Sequence, residues 1–409
     1  MTAPTVVLVG TLDTKGEEYA FLRTRLAAAG LRVVLVDVGT LGPPRAAPDV
    51  AREEVAAAAG IDLAALAGDR GDAVAAMCAA APVVVRRLYD EGRCQGVLAA
   101  GGSGNTAIAT AAMRALPIGV PKVMVSTMAS GDTSGYVDVS DVVMVPAVTD
   151  VAGLNSVSAR VLAGAAAALA GMVTAPAVDL GERRPAVAAT MFGVTTPAVT
   201  AAREELDRRG YEVLVFHATG TGGRAMETLV EAGLVAGVLD LTTTELADDL
   251  VGGVLSAGPN RLSAAGRLGV PQVVSLGALD MVNFGPRETV PERFAGRNLY
   301  VHNPSVTLMR TTPEECAELG RRVAGVLSAA TGPAALYVPL RGVSAIAVEG
   351  GPFFDPAADE ALFAAVRENL APSVELHEID TDINDPAFAA AMAARLDDFL
   401  VGAQSLEER

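Results

Sequence analysis

The sequence predicts two consecutive open, mostly parallel, doubly wound α/β domains of Rossmann-like type. Three observations carry that prediction. Short Val-rich runs alternate with Ala-rich helical stretches along the chain, as they do when parallel strands are buried on both faces. Glycines stand in the turns that join run to helix. The alternation also restarts near the middle: GLRVVLVDVGT at Gly30–Thr40 aligns with GYEVLVFHATG at Gly210–Gly220, setting Asp37 opposite His217. On this alignment Gly10 answers to Gly193 if the first turn is three residues shorter in the second copy. A chain of 409 residues suits two cores.

Each element follows from its local pattern. In the first half, apolar runs predict strands at Val6–Val9, Val33–Asp37, Val97–Ala100, Val123–Ser126 and Val142–Val145. Helical stretches fall at Glu17–Ala29, Asp72–Tyr89, Asn105–Leu116 and Asn155–Gly171. Two prolines, a glycine and Glu182-Arg183-Arg184 between Pro176 and Pro185 mark the boundary, giving domains 1–178 and 186–409. The second half opens with a strand at Ala188–Gly193, a helix at Pro197–Arg209 and a strand at Tyr211–His217. Further strands are expected at Val235–Leu241, Gln272–Leu276, Asn298–His302, Leu336–Pro339 and Val374–Ile379. Helices are expected at Pro313–Leu327 and Pro386–Val401.

Composition excludes several classes. A net charge of −17 argues against a nucleic-acid surface, which needs clustered Lys and Arg. Cys78, Cys94 and Cys316 lie far apart without CxxC spacing, so reduced thiols and a cytoplasmic location are expected. The chain opens on a strand rather than a charged leader. Val161 to Val178 is uncharged, but it is mostly Ala and Gly and is broken by Pro176, so a packed helix is expected rather than a membrane span.

Ligands of open parallel sheets bind beyond the carboxyl ends of the strands. Three turns in the first domain have the chemistry for it. Gly10–Gly16 (GTLDTKG) offers Thr11, Asp13 and Thr14, and it sets Lys15 before a helix, where anions are favoured. Lys15 is one of only two lysines among 31 cationic side chains. Ala99–Thr106 (AAGGSGNT) reads as a phosphate cradle through Gly102, Ser103, Gly104, Asn105 and Thr106. Its relaxed GxGxxA spacing is the one feature in favour of a dinucleotide enzyme, and no acidic residue follows at the required distance. Ser126–Tyr136 could bring Gly131 and Asp132 to the same ligand. Asp37 ends a strand where a ribose hydroxyl is commonly held, and Arg70 opens a long helix within reach of phosphates. No GxxxxGK[ST] segment occurs.

Taken together, GTLDTKGEE, GDRGDAV, GGSGNT, STMASGDTSGY, HATGTGGRAME, PNRL and PLRGVSAI resemble the family named after the ATP-binding N-terminal region of the tomato mosaic virus resistance protein. The resemblance spans nearly the whole chain. It implies ATP, with or without Mg2+, in the first domain, on Thr11, Asp13, Lys15, Gly102 to Thr106 and Gly131-Asp132. It also implies self-association as a homodimer. In the plant protein this region precedes a TIM-barrel domain, which here would be a separate partner. The resemblance supplies a ligand and no reaction.

The second domain carries the residues of an acid–base site. His217 and His302 end predicted strands, Glu245 follows the third strand, and Arg261 and Arg341 suit a carboxylate or phosphate. Gly220–Gly223 offers a further helix N-terminus for an anion. Two readings stand: an enzyme acting on a small carboxylated or phosphorylated metabolite, or a nucleotide-responsive interaction module without chemistry. No HxH or HExxH spacing supports a metal.

Overall fold

A run such as Thr5 to Gly10 is apolar on both faces and is stable only where both are covered. In the computed structural model, which describes residues 3–63, 69–176, 178 and 184–407, every residue of that strand, β1 (Thr5–Gly10), is buried. The chain divides into two compact units, Met1–Asp179 and Leu180–Arg409. Most of the segment expected as the linker lies outside the described residues.

The first unit continues through α1 (Leu12–Ala28), β2 (Arg32–Asp37), α2 (Arg52–Ala58), α3 (Arg70–Asp90), β3 (Val97–Gly101), α4 (Ser103–Arg114), β4 (Lys122–Ser126), α5 (Ser134–Val137), β5 (Val143–Pro146) and α6 (Ser158–Thr174). Its sheet has the order β2-β1-β3-β4-β5, with every pair parallel. Tyr19, Leu22 and Leu26 of α1 join Leu162, Ala165 and Leu169 of α6 in one core. Met77 and Val84 of α3 join Ile108 and Met113 of α4 in a second core. The uncharged stretch is therefore a packed helix, and no helix among the described residues is long and apolar enough to cross a membrane.

The second unit runs β6 (Ala186–Met191), α7 (Thr196–Arg208), β7 (Glu212–His217), α8 (Thr221–Glu231), β8 (Gly237–Thr242), α9 (Glu245–Val251), α10 (Ala264–Leu268) and β9 (Gln272–Gly277). It then runs β10 (Met281–Phe284), β11 (Leu299–Asn303), β12 (Val306–Arg310), α11 (Pro313–Ser328), β13 (Ala334–Pro339), α12 (Pro356–Asn369), β14 (Glu375–Ile379) and α13 (Pro386–Glu407). Six parallel strands take the order β7-β6-β8-β9-β13-β14, the first unit's order with one strand added. The two units thus share an architecture. Gly30 and Gly210, both at positive φ, follow the helix that precedes the second strand in each. Glycine tolerates that conformation without a Cβ penalty.

Three expectations need correction. The first helix begins at Leu12 rather than Glu17 and kinks at Lys15, so Asp13 lies in its first turn. The stretch at Asn298–His302 does not join the parallel sheet. It forms β11 of a separate antiparallel sheet, β10-β12-β11; β11 is largely exposed, so it lacks the covering that a parallel strand needs. Finally, Asp37 pairs in register with Gly10, whereas His217 pairs with Met191. The structural counterpart of Gly10 is therefore Met191, not Gly193.

Candidate functional site

The order β2-β1-β3 means that α1 and α4 leave adjacent strands on opposite faces of the sheet, which opens a crevice at the carboxyl ends of β1 and β3. A cavity of about 300 Å³ lies there. Thr11, Asp13, Thr14 and Lys15 line one side, and Gly102, Ser103, Gly104 and Asn105 line the other. Arg70 lines it from the start of α3. Thr40, Leu41, Val74, Ile108 and Asp150 complete the wall. The sequence reading missed these five because nothing in their local pattern distinguishes them from ordinary loop or helix residues.

The two turns are held by one buried hydroxyl. Tyr19 accepts the Ala100 backbone N–H and the Asn105 Nδ2–H, both at 2.9 Å, and donates to Val9 O at 2.6 Å. Burial pushes its phenol well above the usual range, so it stays neutral. Its ring lies where a Cβ on Gly10 would stand, 2.2 Å from the Tyr19 Cζ, so only glycine fits there. Gly102 caps α4, and the first-turn N–H groups of that helix have no intrahelical acceptor. Thr106 lies beneath the cradle: its hydroxyl bonds Gly102 O at 2.8 Å and Ser126 Oγ at 2.6 Å.

Lys15 and Asp13 both face the cavity. The Lys15 ammonium donates to Val151 O, pinning the segment after β5, and Glu18 accepts Gly153 N–H at 2.7 Å from the same segment. One Asp13 oxygen accepts Leu41 N–H at 2.7 Å and Gly42 N–H at 3.3 Å. The other, buried, has no partner, and the same holds for Asn105 Oδ1. The other lysine, Lys122, is buried in an ion pair with Asp141.

Four expected residues are placed elsewhere. Asp37 is 1% exposed and does not line the cavity; it accepts Leu12 N–H at 3.1 Å and Gly39 N–H at 2.9 Å, holding the tips of β1 and β2 together. Burial raises its pKa, and those two N–H groups oppose the rise. Thr106 supports the cradle without facing the cavity. Gly131 and Asp132 lie in an exposed turn, where Asp132 accepts the Ser134 N–H and hydroxyl.

The second unit does not gather its expected residues into one site. Its switch point, between β6 and β8, is filled from within. Arg261 is 2% exposed and makes a bidentate pair with Asp240, and its Nε meets Glu245 Oε2 at 2.6 Å. Burial disfavours the guanidinium charge, but the carboxylates of Asp240, Glu245 and Glu227 outweigh that and hold it charged. Thr190 donates to Asp240 at 2.7 Å, and Thr195 bonds Thr242 at 2.7 Å.

Glu245 also accepts Gly220 N–H at 2.6 Å and Gly223 N–H at 3.0 Å. The helix N-terminus expected to receive an anion already holds this carboxylate. Glu245, expected as an orienting or basic carboxylate, and Arg261, expected as a substrate anchor, are thus bonded to each other in the interior. His217, exposed at the end of edge strand β7, lies against Phe192 with ring centroids 5.5 Å apart. His302 is exposed on β11 beside Tyr300. No hydrogen bond or ion pair among the described residues joins either histidine to Glu245, Arg261 or Arg341. Arg341 is exposed and bidentate with Asp380. Nor does any group of three His, Cys, Asp or Glu among the described residues suit a metal.

Fold and cavity together define a two-unit, doubly wound α/β protein with a ligand-sized crevice at its first switch point. The chain belongs to the uncharacterised protein family UPF0261: residues 4–178 match its N-terminal domain and 184–400 its C-terminal domain. It is 50% identical over 394 residues to a UPF0261 protein of Clostridium tetani, covering 96% of this chain and 98% of the relative. It is 40% identical over 422 residues to the ToMV resistance protein Tm-1(GCR237) of Solanum lycopersicum, covering 97% of this chain and 56% of that protein. Among solved structures, UDP-N-acetylglucosamine 2-epimerase from Rickettsia bellii aligns over 98% of this chain and 97% of its own, at 11% identity and a TM-score of 0.23. That similarity is too loose to bear on function.

Proposed function

We propose that the first unit binds ATP at the β1/β3 crevice, with its phosphates between Lys15 and the first turn of α4. The observation that carries this reading is that the two glycine-rich turns, 90 residues apart in sequence, line opposite walls of one cavity together with Arg70. Backbone N–H groups at the start of α4 suit phosphate oxygens, and two cationic side chains supply the countercharge. A volume of about 300 Å³ is at the small end for ligand sites. It suits the phosphates and ribose, with the base extending past the exposed Leu41. If Mg2+ accompanies the nucleotide, Asp13 offers an unpartnered carboxylate oxygen, and phosphates and water would complete the shell.

Titration calorimetry with ATP, ADP, AMP and NAD, each with and without MgCl2, tests the reading. ATP should bind most tightly, and Lys15→Met should weaken it. Binding of NAD in preference to ATP, or equal affinity for AMP and ATP, would overturn it. The distribution of polar groups favours a nucleotide-responsive protein over one with acid–base chemistry in the second unit, because Glu245 and Arg261 are buried and bonded to each other and to Asp240 rather than turned toward a substrate.

A further inference from the structure

With the second unit's switch point filled by Arg261, its carboxyl edge offers room elsewhere. A cavity of about 340 Å³ lies between the turn after β13 and helix α12, lined by Leu340, Arg341, Phe354, Asp359, Glu360 and Phe363 among others. Leu340 and Phe354 leave 37% and 45% of their surfaces exposed. Phe363, on α12, is buried beneath them. Large apolar side chains left in the open around a concavity mark places where an apolar body binds.

The charges around this cavity are unequal in availability. Asp359 is held by the buried Arg310 at 2.5 Å. Arg367, which also lines the cavity, is shared between Glu360 and Glu378. Arg341 differs: its side chain is 66% exposed, and its ion-pair partner among the described residues, Asp380, is 70% exposed. Both members of this bidentate pair are open to solvent, so a ligand carboxylate can compete with Asp380 for the guanidinium fork in the same geometry. The acidic residues on the α12 wall would repel a second negative charge.

We propose that this cavity binds a small monocarboxylate with an apolar body, its carboxylate on Arg341 and its body against Leu340, Phe354 and Phe363. The site is independent of the nucleotide reading and lies wholly within the second unit.

The test uses the full chain and titration calorimetry with 3-phenylpropionate and 4-methylpentanoate. Phenethylamine and inorganic phosphate serve as probes lacking the monocarboxylate. The acids should bind and the last two should not. Arg341→Ala should weaken the acids severalfold, the scale of losing a solvent-exposed ion pair. Asp380→Asn should tighten them by removing the internal competitor. Both residues are exposed, so circular dichroism should show unchanged folding, and ATP binding should be unaffected. No binding of any carboxylate at millimolar concentration, equal binding by Arg341→Ala, or equal binding of phenethylamine or phosphate would overturn the proposal.

Discussion

The Asn105 side-chain N–H donates to the Tyr19 hydroxyl at 2.9 Å, so the cradle after β3 and the helix after β1 are fastened to one buried oxygen. That oxygen uses its full capacity, accepting from Asn105 and Ala100 and donating to Val9. Tyr19→Phe would leave the Ala100 N–H buried without this partner. Stability of the first unit should fall by about 1–3 kcal/mol, measured by urea unfolding, and ATP affinity should fall with it as Asn105 loosens. An unchanged midpoint would mean that the hydroxyl is not the fastening.

Lys15 is the cavity's ammonium, and Lys122 is spent on Asp141. Lys15→Met keeps the aliphatic stem and removes the charge. ATP affinity should drop about tenfold or more, the usual scale for losing a hydrogen bond to a charged group, with AMP affected less. Equal losses for both nucleotides would place the ammonium away from the β and γ phosphates.

Arg261 is the shared ion-pair partner of two fully buried carboxylates. Arg261→Met leaves Asp240 and Glu245 without their countercharge, and the expected cost is about 3–5 kcal/mol. Gly223→Ala acts on the same cluster, because its Cβ would fall 2.2 Å from Glu245 Oε2. Both variants should lower the unfolding midpoint of the second unit and leave ATP binding by the first intact. A substrate-binding role for Arg261 would instead show as lost ligand affinity at unchanged stability.

Asp248 accepts Leu255 N–H, Asn283 N–H and Asn283 Nδ2–H. Burial nevertheless pushes its carboxyl up to about 7, and burial pushes Asp280, bonded to Ser344, up to about 6. Both pKa values lie above those of the unfolded chain, so the folded state binds more protons between about pH 4 and 7. Their contribution to stability is complete below the unfolded value and is lost as pH rises through the folded one. Asp248→Asn should flatten that fall. Unfolding midpoints from pH 4 to 8 would show it, and an unaltered slope in the variant would exclude Asp248 as the source.

His217 and His302 are exposed and lie on different sheets. His217→Ala and His302→Ala should leave ATP affinity unchanged and stability within about 0.5 kcal/mol, as for most surface substitutions. A loss of nucleotide binding in either would tie the second unit to the first unit's site.

The doubly wound class, the strand positions of both sheets and the two glycine-rich turns were all legible in the amino-acid order, because buried parallel strands and strand-to-helix turns impose local composition. The antiparallel β10-β12-β11 sheet was not: its strands are four or five residues long, and although β11 and β12 form a tight hairpin, β10 joins β12 from far back in the chain, Phe284 pairing with Thr307.

The sequence alone determined which residues could hold an anion, since Gly, Ser, Thr, Asn and Lys around a turn are a chemical inventory. Which of them share a cavity was decided by tertiary structure. Strand order set β1 beside β3 and so joined Lys15 to Asn105. Burial turned Asp37 inward to hold a turn. In the second unit Glu245 and Arg261, equally polar on paper, are turned inward and paired, with Asp240 sharing the guanidinium, because a charge removed from water must find its partner inside the protein.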